Sequence, residues 1–257
     1  MGTQKKVTRV EKKEGGATTP EAKRTFVPTA ESKSKATNLR VIAGVLWFLA
    51  IAAQAGAIAL VLKQPINMLW IILLIVADLI LASAGGILWK KSNRFDPASE
   101  KEKFKFFIQN QLGLVVAVVA FLPLVVVILT NKNLDGKQKG ILGAVAAVAL
   151  VIAGVIGTDF NPPSIEKYTE ETSRVEWLNN GTDNVYWTKS GKVYHLYSDC
   201  SYINTDRTDE IFEGTVVQSH EANKITKLCS RCEGRAIKEH NLNEADYVST
   251  KEATPEE

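Results

Sequence analysis

Cysteine is nearly absent from this chain of 257 residues: there are three, and none before position 200. Histidine is as scarce, also at three. There is no glycine-rich phosphate loop, no Ser–His–Asp set and no pair of carboxylates at helical spacing placed to line a pocket. These absences argue against nucleotide-driven, triad and two-carboxylate chemistry. Charge is missing too, but only locally. The chain is 46% apolar and its mean hydropathy is near zero, yet the apolar residues sit in the middle and the charges at the ends. That split marks a membrane protein with aqueous appendages.

Four runs carry the apolar residues. Residues 41–62 hold no charge and one strongly polar residue, Gln54; residues 66–89 hold a single charge, Asp78; residues 112–130 and 140–157 hold none. Each run is long enough to cross about 30 Å of hydrocarbon at about 1.5 Å per residue. A buried helix in a soluble core would interrupt such runs with polar positions every few residues. The expected fold class is therefore a membrane, all-α, four-helix transmembrane bundle, with a small α+β domain at the C-terminus. A plainer alternative makes 140–157 a short buried hairpin partner. Trp70 and Trp89 lie about 28 Å apart along a helix, one for each interfacial belt.

Basic residues near the membrane set the orientation. Thirteen Lys and Arg flank the runs on the side of the N-tail, the second loop and the C-terminal segment, against four on the other side. Both termini are then expected in the cytoplasm of a plasma-membrane protein. Residues 1–39 are expected to be a disordered basic tail, poor in core-forming residues. Lys6 stands where a myristoylation signal needs Ser or Thr, which excludes that anchor. In the second loop Ser99 and Glu102 have capping-box spacing. Phe104, Phe106 and Phe107 are suited to the lipid boundary, and Pro123 interrupts the third run.

Asp78 sits near the middle of its run. A central Asp costs about 2.5–3.5 kcal/mol to insert, and no Lys, Arg or His lies in another run to pair with it. Gln54 is its expected hydrogen-bond partner. The bland role for Asp78 is gluing helices or subunits together, a homo-oligomer included; the sharp role is an ion or proton path. Small residues at four-residue spacing, such as Ala149, Ala153 and Gly157, allow close helix approach.

The C-terminal part reads as a linker (158–178), a small domain (179–242) and an acidic tail (243–257). "NVYWTKSGKVYHLY" reads as a β-hairpin turning at Ser190–Gly191. A short helix capped by Ser219 and a second one from Cys232 to about His240 follow. All three cysteines join one histidine in the pattern His195-x4-Cys200-x28-Cys229-x2-Cys232. Three thiolates and an imidazole make the closed tetrahedral shell of structural zinc, Zn2+, and a domain this small needs such a staple. A disulfide would strand the odd cysteine and conflicts with a reducing cytoplasm. A redox Cys-x2-Cys would leave "YHLYSDC" unexplained. His220 is the reserve ligand.

The stretch "VYWTKSGKVYHLYSDCSYI…LCSRCEG" resembles the zinc-binding module related to the metal-binding domain of the Ada DNA-repair protein, over about residues 185–240. Versions with His as first ligand resemble modules appended to bacterial nucleases, lipoproteins and membrane proteins. In Ada-type domains the first ligand is a cysteine that accepts a methyl group. His195 occupies that place here and cannot do that thiolate chemistry. The resemblance thus implies zinc and not methyl transfer. Residues 158–257 hold 11 basic against 19 acidic residues, a balance unsuited to nucleic acid. The expected partners are the lipid bilayer and a protein bound by the zinc module. A small transporter built on Asp78 is the alternative, and an enzyme is disfavoured.

Overall fold

An apolar run in hydrocarbon can satisfy its peptide groups only within itself, and a helix does so. The computed structural model describes residues 6–10, 25–222, 225 and 227–252. Its elements in chain order are β1 (Lys6–Arg9), α1 (Ala30–Leu62), α2 (Met68–Phe95), α3 (Lys103–Thr130), α4 (Gly136–Gly157), α5 (Ile165–Leu178), β2 (Val185–Trp187), β3 (Val193–Tyr194), β4 (Glu210–Gly214), α6 (Val216–Ala222), β5 (Lys227–Leu228), α7 (Ser230–Glu239) and α8 (Glu244–Glu252). They form two units. One is Ala30–Pro162; the other joins Met1–Thr29 to Pro163–Glu257.

The first unit is a bundle of α1 to α4, each long and apolar enough to cross a membrane. The four apolar runs lie within these helices, apart from a residue or two at the start of the second, and two of the helices extend well beyond them. α1 begins at Ala30, eleven residues before its run, because Ala, Lys and Glu are good helix formers and Glu31 pairs with Lys35 at 2.9 Å. α3 runs as one helix from Lys103 to Thr130, so the second loop's phenylalanines lie in its first turns. The Ser99–Glu102 capping box does not form: Glu102 caps without a side-chain bond, and Ser99 Oγ accepts from the Lys101 amide at 3.2 Å instead.

Packing follows a seven-residue rhythm. α1 buries Ala36, Ala43, Ala50 and Ala57, interleaved with Trp47, Gln54 and Val61. α2 buries Ile71, Asp78, Gly85 and Ser92, interleaved with Ile75 and Ala82. Small residues at such seams let backbones approach as in a left-handed coil. Trp47 lies over Gly85, where an added Cβ would fall 2.4 Å from its indole nitrogen. Of the expected small stripes, Ala149, Ala153 and Gly157 do face the interior, and a Cβ on Gly157 would come within 2.5 Å of the Gly113 backbone.

Gln54 does not pair with Asp78. Its Nε2 donates to the Val119 carbonyl at 3.2 Å. The reason is Pro123: it supplies no N–H, so the carbonyl four residues back in α3 loses its helical donor. Gln54 fills that gap. Asp78 is fully buried, and neither carboxylate oxygen has a hydrogen-bond partner among the described residues. Asn131 Nδ2 likewise reaches the carbonyl of Val61 at the end of α1, at 2.8 Å.

The opposite end of the bundle is closed by a polar network. Arg40 pairs with Asp96 at 2.7 Å, and Gln109 Nε2 donates to the Asp96 carbonyl at 2.8 Å. Trp89 is half-buried: it donates to the Gln109 carbonyl at 2.7 Å and packs on Trp47 at 5.3 Å. It serves this network rather than an exposed belt, whereas Trp70 is 59% exposed.

In the second unit, β1, β4 and β2 form one sheet and β3 pairs with β5 in another. Four expectations differ from what is seen here. Residues 158–178 are not a plain linker: α5 is capped by Ser164, and Tyr168, Val175 and Leu178 are fully buried. α6 starts from Thr215, whose hydroxyl and the Gln218 side chain exchange bonds of 3.2 and 2.9 Å with each other's backbone amides. Ser219 lies inside that helix. The acidic stretch from 243 forms α8, with residues 253–257 outside the described ones. The tail over 1–39 is also ordered in part: residues 6–9 are a strand and 30–39 are helical. Its other residues up to 24 lie outside the described ones, apart from Val10.

The pairing of Gln54 with Val119 is testable. Gln54→Leu should cost about 0.5–2 kcal/mol of bundle stability. Pro123→Ala returns an N–H to Val119, so in that background the same change should cost close to nothing. Unfolding of the four variants in detergent gives the coupling energy.

Candidate metal centre

The hairpin builds the first half of the site. Tyr186 and His195 exchange both backbone bonds at 2.7 Å, which sets His195 inward, 1% exposed. The chain then folds back on itself. The Cys200 amide donates to the Tyr197 carbonyl at 3.2 Å, and the Cys200 carbonyl accepts from Ile203 and Asn204 at 2.9 and 2.8 Å.

β5 supplies the other half. It runs parallel to β3 with Tyr194 opposite Leu228, and the Cys229 amide donates to the Tyr194 carbonyl at 2.9 Å. Cys229 is the N-cap residue of α7, and Cys232 falls in its first turn. A helix N-terminus favours negative charge, so both thiols sit where thiolates are stabilised.

One ligand atom from each of His195, Cys200, Cys229 and Cys232 lies within 4.8 Å of all the others, and all four residues are buried. His195 Nδ1 is 3.6 Å from Cys232 Sγ. For Zn–S of about 2.3 Å and Zn–N of about 2.0–2.1 Å, the N···S edge of a tetrahedron is about 3.6 Å. The set therefore fits a tetrahedral thiophilic ion. Electrostatics agrees with this. Burial lowers the His195 pKa to about 4, which keeps its imidazole neutral and able to donate a lone pair. Burial first, and the Cys200 thiol second, push Cys232 up to about 12; a divalent cation would reverse that penalty. The backbone amides of Leu196 and Tyr197 act on Cys232 in the opposite sense, as donors that favour a thiolate.

His220 belongs elsewhere. Its Nε2 is 2.6 Å from Glu171 Oε2, and its ring stacks on Tyr168 at 4.7 Å. The Tyr194 hydroxyl donates to the same carboxylate oxygen at 3.2 Å. This buried set ties α5 to β3, whose Tyr194 immediately precedes His195. The sequence hides it, because 158–178 reads as a linker. Only the spacing of Tyr168, Glu171 and Val175, three and then four residues apart on one helix face, could have shown it. His240 closes α7 as its C-cap residue. Asp78 and Gln54 belong to the bundle and form no common site.

Comparison with known proteins finds no matching protein family, curated protein or solved structure. The site is thus defined by its own chemistry.

The two histidines separate cleanly by experiment. His195→Ala should lower Zn2+ affinity by more than about 100-fold, beyond the usual loss for an outer-shell change. His220→Ala should keep the metal but destabilise the domain by about 1–3 kcal/mol, since Glu171 and Tyr194 lose a buried partner. Metal content and chelator competition on the purified chains check both.

Proposed function

We propose that this chain is a multi-pass membrane protein that carries a structural-zinc module in the cytoplasm, where the module binds a protein partner or regulates the bundle. The observation that carries this reading is the ligand set: four buried side chains each bring one ligand atom within 4.8 Å of the others, enough donors to complete a tetrahedral shell without the water a catalytic zinc needs. The likeness to Ada-type modules supports zinc as the ion. The exposed apolar side chains of the bundle, such as Phe48, Ile80 and Val151, suit lipid. β1 precedes α1 and β4 follows α4, yet they share a sheet. That favours both termini on one side, and the basic asymmetry favours the cytoplasm.

Zinc removal tests the reading. A chelator should abolish the folded signal of Trp177 and Trp187 while the helical content of the bundle persists, because metal binding supplies on the order of 10 kcal/mol of folding free energy in small modules. A metal-free, chelator-insensitive domain would sink it. Asn133→Cys, in the loop between α3 and α4, should react with an impermeant thiol reagent on whole cells.

Asp78 supports a second reading, a small transporter or channel, because its buried carboxylate has no hydrogen-bond partner among the described residues. The first reading expects no proton or cation flux in proteoliposomes. A flux abolished by Asp78→Asn would establish the second.

A further inference from the structure

The three-stranded sheet has an edge strand that comes from about 200 residues away. β1 lies parallel to β4 in the register Lys6–Glu210, Val7–Ile211, Thr8–Phe212 and Arg9–Glu213. The Val10 amide extends the ladder to the Glu213 carbonyl at 2.8 Å. Side chains add charge complementarity. Arg9 pairs with Glu213 at 2.9 Å, Lys6 approaches Glu210 at 3.7 Å, and Thr8 Oγ1 donates to Glu210 at 2.5 Å. Val10 packs on the domain's core.

The strand is held loosely compared with what it covers. Arg9 is 78% exposed at its side chain, whereas Glu213 is 13% exposed. Val7 is 44% exposed. So β1 contributes little core, and the β4 edge beneath it offers backbone partners and two carboxylates. A cleft of about 410 Å³ extends this edge, lined by Arg9, Val10, Asp183, Asn184, Gly214 and Gln218 among others. A second contact holds the same tail: the Phe26 amide donates to Thr169 Oγ1 at 2.9 Å, and its ring meets Tyr168 edge-on at 5.2 Å. Attachment to the same chain makes a weak strand effective, because it raises the local concentration to the order of millimolar. Strand addition to an open edge draws affinity from main-chain bonds and specificity from alternate side chains.

We propose that the β4 edge is a binding site for an extended basic peptide, and that its resident ligand is the chain's own segment, residues 6–10. The ligand pattern is a basic residue opposite Glu210, a hydroxyl two positions on, a second basic residue opposite Glu213 and an apolar residue next. The tail docks reversibly and seals an edge that would otherwise pair with another strand. The inference deepens the partner-binding reading and rests on it only through a folded domain; the identity of the metal does not enter.

The test uses the full chain in detergent, intact and with residues 2–11 deleted, and a fluorescent peptide of residues 5–11 as probe. Zinc content and circular dichroism are recorded on each sample first, so a failure of the metal reading is seen separately. The deletion variant should capture the peptide at least about tenfold more tightly than the intact chain, whose edge is filled in cis. Glu213→Gln in the deletion variant should weaken capture about three- to tenfold. A peptide carrying Val10→Pro, which lacks the N–H that meets Glu213, should not bind. Equal capture by intact and deleted chains overturns the proposal, as does no capture by a folded deletion variant. A deletion variant that no longer folds also overturns it, since β1 is then a structural strand. An intact chain that is dimeric, and monomeric after deletion, overturns the cis assignment in favour of exchange between copies.

Discussion

A polar atom in hydrocarbon has no water to turn to, and most of the bundle's sequence detail answers that constraint. Pro123 removes one donor from α3, and Gln54 restores it from α1. The carbonyl of Val61 has no helical donor at the end of α1, and Asn131 supplies one. At the other end, Lys90 reaches the last carbonyls of α4, including that of Thr158 at 3.2 Å, where a cation also suits the helix dipole. Each of these side chains joins two helices, so satisfying the backbone also fixes the packing. Asp78 stands apart because the same accounting leaves it unanswered. Its place in the heptad of α2, between Ile71 and Gly85, makes it part of a helix seam by position.

The second unit solves a different problem with the same economy of parts. Its strands are two to five residues long, too short to hold a fold by themselves. The ligand cluster joins the hairpin to the start of α7, and the Glu171–His220–Tyr194 set joins α5 to that same hairpin. Tyr194 and His195 are chain neighbours whose side chains serve the two separate clusters. Alternation along a strand gives them opposite faces. The domain's core therefore draws on α5 as well as on the His195–Cys200–Cys229–Cys232 cluster, and a fragment that begins after Leu178 would lack one of its walls.

What the sequence made legible was what repeats or what is rare. The four apolar runs are long, and length alone identified their helices. The three cysteines are rare, so their spacing with His195 pointed to the cluster that the fold assembles. What stayed hidden was set by partners far away in the chain. The bond from Gln54 depends on Pro123 in another helix. α5 carries Glu, Lys and Arg over most of its surface, and the apolar Tyr168, Val175 and Leu178, with Thr169, mark its buried face. β1 reads as part of a basic, unstructured tail because nothing nearby pairs with it; its partner lies at Glu210–Gly214. Ser219 reads as a cap because it is a serine near a helix start, but Thr215 and Gln218 form the reciprocal pair.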